Sequence, residues 1–167
     1  MVRKVQSVSG ATGYRHQLDR ARRFLDLVQL DYQGLEDIDE VEFQDMMWSF
    51  FQHCWHIKDW VLHDPLASNA QKNAVIDMAH QSGALMICRD LCNGTKHLRL
   101  NNPGSGAGAS HQHVDMNIVP GQGRFEIDCI IDDDHGNRIS GKRLARDCIA
   151  EWERILKSEG FATDCRS

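Results

Sequence analysis

The chain has only three prolines and two tyrosines, no CxxC pair among its six cysteines, and no apolar run approaching a membrane span, which needs roughly 18 residues. Few prolines leave long helices unbroken. With 41% hydrophobic residues in 167 positions, one domain can build a core without staples. The cysteines, at positions 54, 88, 92, 129, 148 and 165, lack the spacing of a disulfide scaffold or a zinc ribbon. They read as reduced thiols of a soluble, cytoplasmic protein, and nothing at the N-terminus has the pattern of a signal peptide. Cys88 and Cys92 stand one helical turn apart, which could offer two metal ligands, although buried apolar use is the simpler account. An excess of positive charge is also missing. A net charge of -5 excludes a broad basic surface for nucleic acid, so RNA contact would rest on local cations such as Arg15, Arg20, Arg22 and Arg23. The same arginines read otherwise as a solvated helix face.

What is present is helical periodicity, then a change of period. Leu18, Ala21, Leu25, Val28 and Tyr32 mark one face of a helix from about Tyr14 to Tyr32, stopped by Gly34. A second helix starts at Asp39, with Glu42 three residues on, and runs to Asp64-Pro65. Ser68 opens a third to about His80, and Gln81-Ser82-Gly83 interrupts or kinks the chain before the segment that carries Arg89. Residues 101–110 form a Gly/Ser-rich linker. Beyond it, Val114, Met116 and Ile118, then Phe125, Ile127, Cys129 and Ile131, alternate as in a β-hairpin. A short strand follows near Arg138-Ile139. Ser140 then caps a last helix with a buried stripe of Leu144, Cys148, Trp152, Ile155 and Leu156, ending before Gly160. The expected fold is a single domain over 1–167, mainly α: an antiparallel helical bundle over 14–100, with a β-hairpin and C-terminal helix over 111–160.

Three groups of side chains carry chemistry. His53, His56 and His63 fall within about 80° on the second helix, an edge that could hold zinc or another borderline metal. Metal is the weak alternative here: the same edge reads first as a polar flank whose imidazoles cap the backbone or pair with acids such as Asp45 and Asp59, and next as part of one cleft with His97. His111, His113, Asp115 and Asn117 share one side of the first strand, with Glu126 and Asp128 on the second strand as candidate partners. They make either a chelate or an ordinary exposed face. Trp48, Trp55 and Trp60 crowd the second helix as core or as anchors of a subunit interface.

The third group is the most informative. In RDLCNGTKH, Arg89 to His97, helical geometry places Arg89, Asn93, Lys96 and His97 within an arc of roughly 100°. An imidazole can move a proton near neutral pH, and two cations can neutralise charge on a phosphorane-like transition state. Two long helices followed by a helix ending in Arg, polar residue and His resemble the HEPN superfamily (higher eukaryote and prokaryote nucleotide-binding), with Arg89, Asp90 and His97 matching its residue types. Seven residues separate Arg89 from His97, one more than the family pattern. The resemblance implies an RNA-directed protein and a metal-independent endoribonuclease cleft between two copies, hence a homodimer with no cofactor. Arg89 and Lys96 would hold the phosphate, Asn93 would orient, and His97 would act as acid or base. A string from Trp55 to Trp60, WHIKDW, also resembles uncharacterised bacterial helical proteins, with no activity implied. The alternatives are a non-catalytic module that binds a nucleotide or a protein partner, and a metal-dependent protein built on His53, His56 and His63.

Overall fold

A computed structural model describes residues 13–30, 39–94, 107–119, 124–133 and 137–164. The described part is mainly helical, with a small antiparallel sheet and a C-terminal helix, as the periodicities predict. The first helix, α1 (Gly13–Gln29), buries Tyr14, Leu18, Ala21 and Val28; Tyr32 and Gly34 lie outside the described residues. Asp39 caps α2 (Glu40–Trp55), its carboxylate accepting the Glu42 N–H at 2.7 Å.

The long second helix is two helices. At His56 (ψ -9°) the chain turns and α3 (Ile57–Leu62) begins. Trp55 and Ile57 would stand about 200° apart on a continuous helix, yet they are 5% and 0% exposed. The turn lets both enter the core. Asp64, buried, then accepts the Leu66 N–H at 2.8 Å, so Asp64-Pro65 ends the segment with a side-chain-closed turn. Ser68 and Gln71 exchange both hydrogen bonds of a capping box at the start of α4 (Asn69–Gln81). At Ser82, ψ 118° breaks the helix. Its carbonyl accepts the Met86 N–H at 2.9 Å as α5 (Gly83–Gly94) begins.

The linker is shorter than expected. Strand β1 (Ala107–Val119) starts inside it, because β2 (Arg124–Asp133) is long enough to pair Ala107 with Asp133, with an irregularity before Gln112. Residues 101–106 lie outside the described part. Strand β3 (Arg138–Ser140) completes the order β1-β2-β3. The sheet is continuous with the bundle: Ile127, Cys129 and Ile131 of β2 belong to the same buried cluster as the helices.

Helix α6 (Gly141–Ser158) is held at both ends. At its start the Ser140 hydroxyl accepts the Arg143 N–H at 3.1 Å, and Asp128 of β2 accepts the Lys142 N–H at 3.0 Å and the Ser140 hydroxyl at 2.5 Å. A carboxylate at a helix N-terminus also meets the positive end of the backbone dipole. At the far end Phe161 N–H reaches the Leu156 carbonyl and Gly160 N–H the Lys157 carbonyl, a Schellman closure with Gly160 at φ 77°. Tyr14 and Phe161 then meet edge to face at 5.1 Å, and the Tyr14 hydroxyl donates to the Ala162 carbonyl at 3.0 Å.

Sheet and bundle approach closely at Gly141, where an added Cβ would stand 2.7 Å from the Cys129 carbonyl oxygen and 2.7 Å from the Met47 methyl. The methionine tip can move. The backbone oxygen cannot. Gly141→Ala is therefore expected to destabilise the fold by about 1–3 kcal/mol, and Asp128→Ala by a similar amount through loss of charge-assisted hydrogen bonds at the helix start. Urea unfolding checks both; midpoints equal to wild type would show that α6 is not held this way.

Candidate functional site

Helix α5 packs against α2, α6 and β1. It buries Leu85, Cys88, Leu91 and Cys92, and leaves Arg89 and Asn93 half-exposed one turn apart on its rim. Those two residues share a face, as their spacing requires. Lys96 and His97 lie outside the described residues, so convergence of His97 on Arg89 is not described. What the spacing does not reveal is the role of Asp90. Its side chain is 2% exposed, and one carboxylate oxygen accepts the Arg89 Nε–H at 2.9 Å and Nη2–H at 2.7 Å. Neighbouring side chains on a helix normally point apart. Here the long guanidinium folds back onto a buried carboxylate, and an arginine at the rim is fixed instead of sweeping through water.

The three helix histidines do not converge. His53 is half-buried, and Gln17, itself buried, donates to the His53 carbonyl at 2.8 Å and lies 3.4 Å from Nδ1. Arg20 donates to the Gln17 side-chain oxygen at 3.4 Å, and Phe24 packs against the imidazole at 5.1 Å. Burial lowers the His53 pKa, and Arg20, His56 and Arg23 lower it further through their charge. His56 occupies the junction of α2 and α3, and His63, exposed, donates Nδ1–H to the Asp59 carbonyl at 2.7 Å. Of the N-terminal arginines, Arg22 is engaged by Asp19 at 3.2 Å and Glu153 at 2.6 Å, tying α1 to α6. Arg20 and Arg23 are exposed. Beside His53 and His56 they form a local positive edge on an acidic protein, its charge carried by the two guanidinium groups.

In the sheet, Asp115 pairs with Asp128 and Asn117 with Glu126, while His113 faces Ile130. This is backbone register; the Asp128 side chain is committed to α6. Of the tryptophans, Trp55 is buried and Trp48 half-buried. Trp60 is 41% exposed and lies against Gly13, where a Cβ would meet the indole at 2.8 Å.

Among the described residues the one set of three potential metal ligands that converges is Cys54, Cys88 and Cys148, whose sulfurs all lie within 4.8 Å of one another. They come from α2, α5 and α6. Each occupies the buried stripe of its own helix, which periodicity shows; their meeting depends on how the helices pack, which it does not. Comparison with family models, curated proteins and solved structures finds no match.

Because the folded His53 pKa lies below the ordinary 6.5, the unfolded chain takes up a proton first as the solution is acidified. His53 stabilises fully above that value, and its contribution falls as pH drops below it. The urea midpoint should therefore fall between about pH 7.5 and about pH 5.5, and fall less in His53→Gln. Identical pH dependence in the two proteins would remove His53 from the account.

Proposed function

We propose that the protein is an RNA-directed helical module of the HEPN kind, with Arg89 and Lys96 on a backbone phosphate and His97 as the proton-transfer group. The observation that supports this most is the Arg89–Asp90 pair. An arginine whose guanidinium is already oriented by a buried carboxylate loses little side-chain freedom on meeting an anion, and its planar fork suits phosphate. Asp90 accepts two of the five guanidinium donors. Asn93, on the same face one turn later, would orient the phosphate oxygen or the imidazole. His97 would accept the ribose 2′-hydroxyl proton, or protonate the leaving oxygen, while the cations neutralise charge on the phosphorus. No metal enters this scheme. The cleft would be completed by a second copy, so the active form is a homodimer.

The positive edge of Arg20 and Arg23 favours the same class of ligand. Its charge is local, which suits a protein whose net charge of -5 repels polyanions elsewhere. A phosphate contact made there would strengthen binding at low salt without adding sequence preference.

The test is incubation of the full chain with single-stranded RNA in the presence of a chelator, with product and binding measured separately. Wild type should cleave. His97→Ala should lower the rate by a factor of about 10² or more, with circular dichroism unchanged. Arg89→Lys, which keeps the charge but loses the fork, should weaken both binding and cleavage; it keeps a cation beside the buried Asp90 carboxylate, which Arg89→Ala would not. Wild-type protein that neither binds nor cuts RNA sinks the proposal, and binding without product assigns the non-catalytic alternative.

A further inference from the structure

The core contains a group of side chains that RNA chemistry does not use. Cys54, Cys88 and Cys148 are each 0% exposed, and their three sulfurs come within 4.8 Å of one another from three separate helices. A metal with bonds of about 2.3 Å to three thiolates holds those sulfurs about 4 Å apart. The spacing is compatible. Two of the thiols have backbone acceptors nearby, the Phe51 carbonyl at 3.5 Å from the Cys88 sulfur and the Ala84 carbonyl at 3.4 Å from that of Cys148.

A second observation points to the same place. The indole Nε1–H of Trp152, one turn beyond Cys148 on α6, is fully buried and has no hydrogen-bond partner among the described residues. A buried donor without an acceptor is costly to leave so, and its direction is informative. It lies beside Cys54, so a thiolate at that position would give the indole N–H the acceptor it lacks. Outer donors of this kind orient and stabilise metal-bound thiolates.

We propose that Cys54, Cys88 and Cys148 form a closed, three-sulfur site for a thiophilic d10 ion, Zn²⁺ or Cu⁺, with Trp152 as the outer hydrogen-bond donor to Cys54. Soft thiolates select these ions over oxygen-seeking ones such as Mg²⁺. Full burial leaves no position open to substrate, so the site is structural; three sulfurs complete a trigonal shell for Cu⁺, whereas Zn²⁺ takes a fourth donor in addition. As each S–H is replaced by a sulfur–metal bond its proton goes to solvent, so uptake weakens as pH falls. No electron transfer is involved. The two ions differ in the charge left behind: three thiolates with Zn²⁺ carry one net negative charge, and with Cu⁺ they carry two.

The experiment uses the full reduced chain under anaerobic conditions, titrated in separate arms with Zn²⁺ and with Cu⁺. Metal content, melting temperature and the ultraviolet thiolate-to-metal band are read after gel filtration. One equivalent retained in either arm, with a raised melting temperature, is the expected result, and the arm that succeeds names the ion. Cys148→Ser should lose the bound metal, whereas Cys129→Ser, altering a buried cysteine outside the trio, should keep it. Because a core cysteine variant can fail to fold, Co²⁺ is also added to wild type, where its sulfur charge-transfer intensity should correspond to three thiolates. Failure to retain either ion, or a Co²⁺ spectrum without thiolate bands, would overturn the site and leave three packed thiols. Neither outcome bears on RNA cleavage in chelator.

Discussion

Where α2, α5 and α6 meet, the side chains are cysteines in place of leucines, and those small residues let three helices share one point in the core. Much else follows from that crossing. With Cys88 facing inward, the next position along α5 is rotated by about 100°. Arg89 therefore reaches the rim while its neighbour Asp90 stays beneath it. Trp152, one turn from Cys148, fills the space beside the sulfurs and ties α6 to the same point. The interior group and the surface arginine are successive residues of one helix, so displacement of α5 would disturb both.

Charge is distributed with a comparable economy of position. Arg22 is taken up by Asp19 and Glu153 in joining α1 to α6, and Asp128 by the start of α6. Such partly exposed pairs contribute little individually, but they remove those residues from the pool that could greet a ligand. The Arg20 and Arg23 edge and the rim of α5 are two places where cations face outward for a polyanion. An acidic protein can still bind nucleic acid under this arrangement, provided it does so through narrow contacts.

Local signals were legible in the amino-acid order. Asp39, Ser68 and Ser140 cap the helices their spacing assigns to them, because a cap depends on residues three positions away. The α6 stripe from Leu144 to Leu156 is likewise a matter of helical period, and it is buried throughout. The turn at His56 escaped notice because it exists to bury Trp55 and Ile57 together, a demand made by the surrounding core. The sulfur trio escaped for a related reason: its members are dozens of positions apart and share no motif. Of the candidate catalytic face, the common side of Arg89 and Asn93 was readable from angular spacing. The anchoring of Arg89 by Asp90 was not, since adjacent helical positions ordinarily diverge.

The contact between Tyr14 and the segment Phe161-Ala162 joins the first described helix to the last described residues. During synthesis the ribosome releases α1 long before its partner exists. Until α6 emerges, Cys54 and Cys88 lack their third companion and the cover of Trp152, so the sulfurs of the nascent chain stay open to their surroundings. Synthesis of α6 and closure of the interior around these sulfurs are thereby coupled in time.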